Sequence, residues 1–408
     1  MLAVVVGGRR GSAALLGACV AVLAAACSDN SDGGATATSA PAETTTTTAP
    51  PYPLDETLRL NEIQALGSHN SYHVQAEPAL FAALQAFDPA LASSLEYTHA
   101  PLEVQFDRQG VRQIELDVFA DPAGGLYANR AGNAVIGVPV ESGEPALDEP
   151  GFKVLHVQDI DFATTCLTFV DCLTTVRDWS QSHPGHVPIL VLVEVKDDPI
   201  PDPGLGFVVP FPVGAAELDA LDTEIRSVFG NDELLTPDDV RGDHTSLEEA
   251  VLTDGWPTLG ETRGRVLFAL DNEDAIRDTY VAGHPALAGR VLFTSSPPGT
   301  PEAAFLKLND PVTGEATIRQ AVLDGYVVRT RADADTQQAR TGDTTMRDAA
   351  LRSGAQWIST DYPVPEDRFG TGYVVTIPGG TPARCNPVIA PPGCTPADIE
   401  DPAALTTG

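Results

Sequence analysis

Four short polar signals lie within apolar stretches of the sequence, and each consists of residues that can transfer protons or bind metals. In chain order they are a histidine with an amide, two carboxylates two residues apart, a single histidine, and a carboxylate two residues before a lysine: His69-Asn70, Glu115 and Asp117, His156, and Glu194 with Lys196. Core packing does not call for acids and histidines in apolar strands, whereas a bound cation and acid–base chemistry do. The signals therefore predict a metal-assisted acid–base site.

The spacing of the carboxylates indicates what they could bind. Residues two apart on a β-strand face the same side, so each of the two spaced pairs would point into one space. Three carboxylates that converge there would repel one another unless a cation joined them, and oxygen ligands favour a hard metal such as Ca²⁺ or Mg²⁺ over zinc. The predicted metal ligands are Asn70, Glu115, Asp117 and Glu194. His69 and His156 then remain for proton transfer, because imidazole titrates near neutral pH.

The elements that must position these residues are predicted strands. Eight runs rich in Val, Ile and Leu lie near 62–68, 111–118, 152–157, 188–195, 265–270, 290–294, 326–330 and 355–360. They show little alternation, as expected for parallel strands covered on both faces, and helical patterns lie between several of them. Gly325 and Gly354 stand where helices should end. This order predicts an α/β fold, a (β/α)₈ barrel of the TIM type, with a doubly wound open sheet as the alternative.

A barrel would bring the four signals together. Catalytic groups of such barrels lie at the C-terminal ends of the strands, and the signals end the first four predicted strands in turn. Two long segments without periodicity, 119–151 and 197–213, would contribute to the rim of the site. The apolar part of the second segment, 203–213, could touch lipid or pack over the barrel.

Several further positions could serve the same site. Arg329 and Arg331 share one face of the seventh predicted strand, where they could hold a phosphate or a hydroxyl, or form salt bridges with the abundant acids. Lys196 is the preferred phosphate contact because it shares the side that faces the metal. Asp361 could orient a histidine, bind a hydroxyl or cap the turn before Pro363. The remaining histidines are expected at the surface, although the first lies only four residues past His69: His73, His99, His183, His186, His244 and His284.

The net charge of −33 over 408 residues limits the possible partners. Nucleic acid is not expected, because phosphate backbones attract basic proteins. Electrostatic docking on an anionic membrane is disfavoured for the same reason. An anionic substrate would have to be attracted by local cations, and the chain is expected to act as a monomer.

The N-terminus has the pattern of an export signal. Arg9 and Arg10 precede an apolar stretch, 11–26, that is short for a membrane span, and the stretch ends at Cys27 in a sequence that resembles a lipoprotein cleavage box. Lipidation of Cys27 and an ordinary secretory signal with an incidental cysteine both fit. The chain is therefore expected to be exported, either as a cell-surface lipoprotein or as a secreted protein. Residues 28–55, rich in Thr and Pro, are predicted to form a flexible tether before a barrel over 56–370.

Four cysteines follow in the exported part, and an even number predicts two disulfides. Local pairing is the simplest choice, Cys166 with Cys172 and Cys385 with Cys394. Six residues along one helix would hold the first pair about 9 Å apart, too far for a bridge, so Cys166 is expected in a loop. The second pair would staple a C-terminal extension, 371–408.

The order of the motifs resembles the phosphatidylinositol-specific phospholipase C-like phosphodiesterases, in particular the calcium-dependent bacterial group of actinomycetes. The matching segments, over roughly residues 58–395, include GSHNSYH, VRQIELDVF, LHVQD, VPILVLVEVKD, GYVVRTRADADT and AQWISTDYP. The resemblance implies a barrel in which His69 and His156 are the acid–base pair. It implies that calcium is held by Asn70, Glu115, Asp117 and Glu194.

The implied activity is calcium-dependent cleavage of phosphatidylinositol-type phospholipids to an inositol phosphate and diacylglycerol. His69 would act at the nucleophile or the transition-state phosphate and His156 as the acid, with Lys196 and Arg329 or Arg331 neutralising charge. Glycerophosphodiester phosphodiesterases share the barrel and both carboxylate patterns, but usually have His-Arg where this chain has His69-Asn70. A surface lipoprotein that binds calcium or a polyol phosphate without turnover is the non-catalytic alternative.

Overall fold

Eight parallel strands lie at the centre of the fold in the computed structural model, which describes residues 52–400. In that part of the chain the strands are β1 (Ile63–Ser68), β2 (Val111–Phe119), β3 (Lys153–Val154), β4 (Ile189–Val195), β5 (Val266–Leu270), β6 (Leu292–Thr294), β7 (Phe305–Lys307), β8 (Val327–Arg331), β9 (Trp357–Thr360) and β10 (Ala383–Cys385). Eight of them pair side by side in the order β6-β5-β4-β2-β1-β9-β8-β7. A parallel bridge between Ser295 and Phe305 joins the two ends, so the barrel is nearly closed and the predicted fold class is confirmed.

Helices cover most of the barrel. They are α1 (Pro78–Phe87), α2 (Pro89–Ser94), α3 (Leu102–Arg108), α4 (Phe169–Ser182), α5 (Ala215–Val228), α6 (Pro237–Arg241), α7 (Leu247–Thr253), α8 (Leu259–Thr262), α9 (Asp274–Val281), α10 (Pro311–Asp324), α11 (Gln337–Thr341) and α12 (Thr345–Ser353). Gly325 and Gly354 end α10 and α12 with left-handed backbone (φ +111° and +87°), as predicted. Among the described residues, no helix has the length and apolarity needed to cross a bilayer.

The prediction of the third barrel strand was wrong. Residues 152–157 form only the two-residue β3, which pairs antiparallel with Val118 and Phe119 at the C-terminal end of β2 and lies outside the barrel. The eighth barrel strand is instead β7, which is only three residues long and follows β6 without an intervening helix. His156 therefore does not end a barrel strand. It follows β3 at the end of the barrel where the strands' C-termini lie, which we call the mouth.

Both predicted disulfides are present, Cys166–Cys172 and Cys385–Cys394, with Cα–Cα distances of 5.4 and 6.1 Å. Cys166 lies in the loop before α4, as expected. The helix begins after Thr168, the N-cap residue, whose hydroxyl accepts a hydrogen bond from the Asp171 N–H. The fold thus agrees with the local pairing predicted from the sequence.

The C-terminal extension closes the end of the barrel opposite the mouth. β10 adds antiparallel to β1, and the buried Glu400 forms an ion pair with Arg112 at the start of β2. Glu400 also accepts the N–H of Val187, just before β4. At the other end of the described chain, Asp55 in the predicted tether pairs with Arg263 at 2.7 Å. Residues 1–51 and 401–408, and with them Cys27 and the predicted signal, lie outside the described residues.

Candidate active site and metal centre

Three carboxylates converge at the mouth. Glu115 and Asp117 lie on β2, and the parallel register places Asp117 beside Glu194 of β4. One oxygen from each of the three lies within 4.8 Å of the others. The two-residue spacing on a buried strand turns both β2 acids into the barrel, as the sequence pattern indicates. The structure therefore brings three of the four predicted metal ligands into one cluster, which we call the acidic cluster.

Two side-chain cations partly balance the acidic cluster. Lys196 Nζ lies 2.8 Å from Asp117 Oδ2 and 3.3 Å from Glu194 Oε2, and Arg329 forms a buried ion pair with Glu115. Asp117 is fully buried; Lys196 lies against its Oδ2, whereas its Oδ1 receives no aligned hydrogen bond from the described residues. Buried oxygens normally have such donors, so Oδ1 fits a hard cation with oxygen ligands.

Burial and mutual repulsion raise the pKa values of two of these acids. Burial raises the pKa of Glu115 to about 8, with Arg329 opposing the shift and the neighbouring Asp271 and Asp117 adding to it. Burial and the charge of Asp117 raise the pKa of Glu194 to about 7, against the effect of Lys196. Both shifts mean that the negative charges are poorly compensated by the protein's own cations. A divalent ion would supply the missing compensation.

Asn70 stands at the turn that follows β1. Its backbone is left-handed (φ 44°), a conformation that asparagine tolerates better than most residues, and its Nδ2 donates to Tyr97 Oη at 3.0 Å. The next residue, Ser71, donates its N–H to the carbonyl of Glu115 at 2.9 Å. This bond ties the end of β1 to β2. With Nδ2 engaged by Tyr97, Oδ1 is the atom of Asn70 that could serve as a ligand.

His69 is held with one ring nitrogen towards the acidic cluster. Its Nδ1 lies 2.7 Å from Asp361 Oδ1, while Nε2 lies 3.8 Å from Glu115 Oε1. Arg331 Nη1 donates to Nε2 at 3.3 Å, so we assign the ring proton to Nδ1. Burial, and next the charge of Arg331, lower the pKa of His69 to about 3 against the effect of Asp361. Asp361 thus orients a histidine, one of the three roles considered from the sequence.

His156 is also oriented by an aspartate, which the sequence reasoning missed. Its Nδ1 lies 2.7 Å from Asp161 Oδ2. Val157 and Asp161 exchange two backbone hydrogen bonds, so His156 and its partner lie on one tight hairpin, with Asp159 in left-handed conformation at the turn. We call residues 156–161 the His156 hairpin. An acid five residues after a histidine, across a turn, is a signal that could have been noticed in the sequence.

The prediction that His73 lies at the surface was wrong. Its side chain is fully buried, and Nε2 lies 2.9 Å from the same Asp161 Oδ2 that contacts His156. The ring stacks on Tyr97 with centroids 4.2 Å apart and meets the ring of His156 edge-on at 5.7 Å. Burial acts to lower the pKa of His73, but the ion-pairing Asp161 outweighs it and the pKa is raised. His73 therefore links the turn after β1 to the His156 hairpin.

Two other histidines are also buried, contrary to the prediction. The Nε2–H of His99 donates to the carbonyl of His69 at 2.8 Å, which supports the turn that carries His69. His186 lies beneath the barrel, 2.7 Å from the Ser180 hydroxyl. In both cases polar partners compensate for burial. The other three histidines predicted at the surface are partly exposed, namely His183, His244 and His284.

The predicted substrate contacts differ in their access to the mouth. Arg329 is buried, and besides Glu115 it donates to Asn309 Oδ1 at 2.7 Å and Ser359 Oγ at 3.0 Å. Its position beneath the acidic cluster favours the salt-bridge alternative over a phosphate contact. Arg331 and Lys196 keep 15% and 23% of their side chains exposed, so these two cations remain accessible from the mouth.

Comparisons with known proteins give one match to a family and several to solved structures. A protein-family model described as "Phosphoinositide phospholipase C, Ca2+-dependent" matches residues 58–387. Two solved structures that match are described as calcium-dependent phospholipases C specific for phosphoinositol or phosphatidylinositol. One, from a Pseudomonas species in a form described as a myoinositol complex, is 17% identical (TM-score 0.49), and the match covers 83% of this chain and 99% of that one. The other, from Streptomyces antibioticus, is 18% identical (TM-score 0.46), with 75% and 95% covered. No curated protein matches.

Proposed function

Because the chain belongs to the calcium-dependent phosphoinositide phospholipase C family, we propose that its acidic cluster and the two aspartate-held histidines cleave the phosphodiester of phosphatidylinositol-type lipids. The family match confirms the resemblance drawn from the sequence motifs, and with it a phosphoric diester hydrolase that depends on calcium. It supports this activity rather than that of a glycerophosphodiesterase or a non-catalytic binding protein. The observation that carries the proposal is the convergence of three carboxylates beside His69 at the mouth.

The residues that would hold calcium are Asn70, Glu115, Asp117 and Glu194. Their ligand atoms are all oxygens, and Asp117 Oδ1 is buried without an aligned hydrogen-bond donor among the described residues. When bound, calcium supplies Lewis-acid chemistry, which neutralises phosphate charge and lowers the pKa of a bound hydroxyl. Arg329 holds Glu115 from below, and Lys196 provides an accessible ammonium group for the substrate phosphate.

The two histidines would move the protons of the reaction. Nε2 of His69, with Nδ1 fixed by Asp361, takes the proton of the inositol 2-hydroxyl, whose oxygen attacks phosphorus. The bond from phosphorus to the glycerol oxygen breaks, and His156, held by Asp161, gives its proton to that oxygen. The products are diacylglycerol and a cyclic inositol phosphate, which water can open. Arg331 would neutralise charge on the phosphate from the side of His69.

The activity assay that tests this proposal compares substrates and metal. The protein is expected to hydrolyse phosphatidylinositol with added calcium and to lose that activity in excess chelator. Glycerophosphocholine and glycerophosphoinositol serve as soluble comparison substrates. Equal activity with calcium and with chelator would contradict the metal role, and turnover of glycerophosphocholine without turnover of phosphatidylinositol would favour a glycerophosphodiesterase.

His73 would act as a positioning residue through Asp161. One oxygen of Asp161 contacts both His73 and His156, so removing His73 leaves the carboxylate with one fewer donor and a freer orientation. We expect His73→Ala to lower kcat about 10- to 100-fold, the effect typical of groups that orient a functional histidine, with little change in KM. His73→Gln, which keeps a donor, should recover most of kcat.

Thermal unfolding of both His73 variants separates positioning from a purely structural role. If His73→Ala and His73→Gln lose activity in proportion to a fall in Tm, the residue is structural. If the folded His73→Ala variant keeps the wild-type kcat, Asp161 does not need its second partner.

We also propose that the enzyme acts outside the cytoplasm. The two disulfides are typical of proteins that fold outside the cytoplasm, which supports export. We place the enzyme at the cell surface through a lipid on Cys27, or in secreted form, acting as a monomer on phospholipid and not on nucleic acid. Metabolic labelling with a radioactive fatty acid, compared between the wild type and Cys27→Ser, tests the anchor.

A further inference from the structure

Two uncharged segments lie within the longer loops at the mouth, next to charged residues that include Arg130, Glu141 and Asp202, in a protein of net charge −33. Residues 131–140 (AGNAVIGVPV) follow β2, and residues 203–213 (PGLGFVVPFPV) follow β4, the two strands that bear the acidic cluster. We call them the rim loops. Among the described residues, the rim loops expose the large apolar side chains Val135 (56%), Val138, Leu205 and Val209 (70%). Such a concentration at the entrance to a site indicates an interaction surface.

Some side chains of the rim loops point inward and pack against the hydrophobic core, whereas others point outward and are exposed. Val208 packs against a small cluster formed by Phe119, Tyr127 and Leu155. Ile136 packs against a second cluster built mainly on α1 and α2. Because Ile136 and Val208 fix the positions of the two loops, the outward side chains form a surface of defined shape.

Asp159 connects both rim loops to the His156 hairpin. Its Oδ1 accepts the N–H of Ala131 at 2.8 Å, and its Oδ2 accepts the N–H of Val208 at 2.6 Å. The Asp159 carbonyl accepts the N–H of Gly132 at 3.1 Å. A Cβ on Gly132 would lie 2.1 Å from that carbonyl oxygen, so the close approach requires glycine. The buried carboxylate thus fixes both loops to the segment that carries His156.

We propose that the rim loops, held together by Asp159, form the surface that contacts the apolar interior of a phospholipid bilayer. This inference rests on the proposed function, since a diacyl substrate must reach the mouth from a bilayer. The absence of charge in both loops fits hydrocarbon better than a charged protein or nucleic acid. Because the net charge repels anionic surfaces, contact through apolar side chains is the mode that remains for this protein. The surface is also continuous with the mouth that must receive the lipid head group.

The test measures how two double variants bind to phospholipid vesicles. Val135→Asp/Val209→Asp changes the rim loops, and Leu252→Asp/Leu323→Asp makes the same chemical change at side chains that are 44% and 53% exposed. Leu252 and Leu323 lie near the ends of α7 and α10, and α10 ends just before β8 begins, so Leu323 lies at the end of the barrel opposite the mouth. Binding is measured by flotation with phosphatidylcholine vesicles. Turnover is measured on phosphatidylinositol in those vesicles and on a monomeric short-chain phosphatidylinositol.

We expect the rim variant to bind vesicles at least about tenfold more weakly, the factor for losing the burial of one valine side chain. Its ratio of vesicle turnover to monomer turnover should fall by a similar factor, and the control variant should match the wild type in both assays. Equal binding by the two double variants would overturn the proposal. So would a wild-type dimer that the rim variant dissociates without a change in vesicle binding, because the surface would then join two copies of the chain.

Asp159→Ala tests the connection without changing the apolar surface. Release of both rim loops is expected to weaken vesicle binding, and unchanged binding would show that Asp159 does not hold the surface together. These outcomes are distinct from a failure of the proposed function. A wild-type protein that turns over neither form of phosphatidylinositol would contradict the activity, while flotation would still report on the surface.

Discussion

His69→Ala and His156→Ala are each expected to lower kcat on phosphatidylinositol about 100- to 10,000-fold, the range that positioned acid–base groups contribute. Each imidazole has its Nδ1 within 2.7 Å of a buried aspartate oxygen, which fixes the ring and directs its other nitrogen towards the mouth. Alanine removes the proton-transfer group together with this orientation. Initial rates at saturating calcium give the measurement, and His244→Ala is the matched control. The side chain of His244 pairs with Asp254 outside the mouth, so its loss should leave kcat near the wild-type value.

A substrate with an easily expelled leaving group separates the two roles. A nitrophenyl ester of inositol phosphate loses its phenolate without protonation, so a missing general acid matters less for it than for the diacylglycerol ester. We expect His156→Ala to recover much of its lost rate on this substrate and His69→Ala to remain impaired. The reverse pattern would exchange the assignments of acid and base. Activity within a few-fold of the wild type for either variant on phosphatidylinositol would remove that histidine from the mechanism.

The parts of the site that could be predicted from the sequence are those set by local pattern. Glu115 and Asp117 interrupt a run of aliphatic residues with a spacing of two, and such a run becomes a buried strand whose alternate residues share one side. The order of strands and helices then fixes the fold class, and the glycines that end α10 and α12 fix helix boundaries. For the buried strand and the helix ends, the physical cause is local in the sequence, and the fold class follows from the order of such local patterns along the chain.

The parts that could not be predicted depend on distant pairing. Residues 152–157 form a longer run than β7 with the same apolar fraction, yet β7 completes the barrel because it can bridge β6 and β8, a relation that no local pattern encodes. His73 has the sequence surroundings of a loop residue and is buried because Asp161, 88 residues later, folds over it. Arg329 likewise meets Glu115 across 214 residues. Burial of a polar residue is decided by such a partner, and the partner becomes visible only in the folded chain.

Asp117→Asn is expected to weaken calcium binding roughly 10- to 1,000-fold, since the charge of the ligand set tunes calcium affinity over several decades. The amide keeps the shape of the side chain but removes one of three converging negative charges. It also brings an N–H₂ group into a position where Lys196 Nζ already lies 2.8 Å from an oxygen. Two donors would then face each other at the centre of the acidic cluster. Isothermal titration calorimetry with calcium measures the change directly, without depending on turnover.

The control for this substitution is Asp198→Asn, which removes the same charge from an exposed position two residues past Lys196. Long-range attraction of calcium to an acidic surface would be weakened equally by both variants, whereas a direct ligand role affects only Asp117→Asn. The calcium-dependent rise in Tm gives an independent reading, because an ion that binds only the folded state stabilises it increasingly as its concentration rises above its Kd. Equal calcium affinities for both variants would contradict the ligand role of Asp117. A wild-type Tm that does not respond to calcium would contradict the metal centre as a whole, since the acidic cluster would then have to be stabilised by the protein's own cations, Lys196 and Arg329.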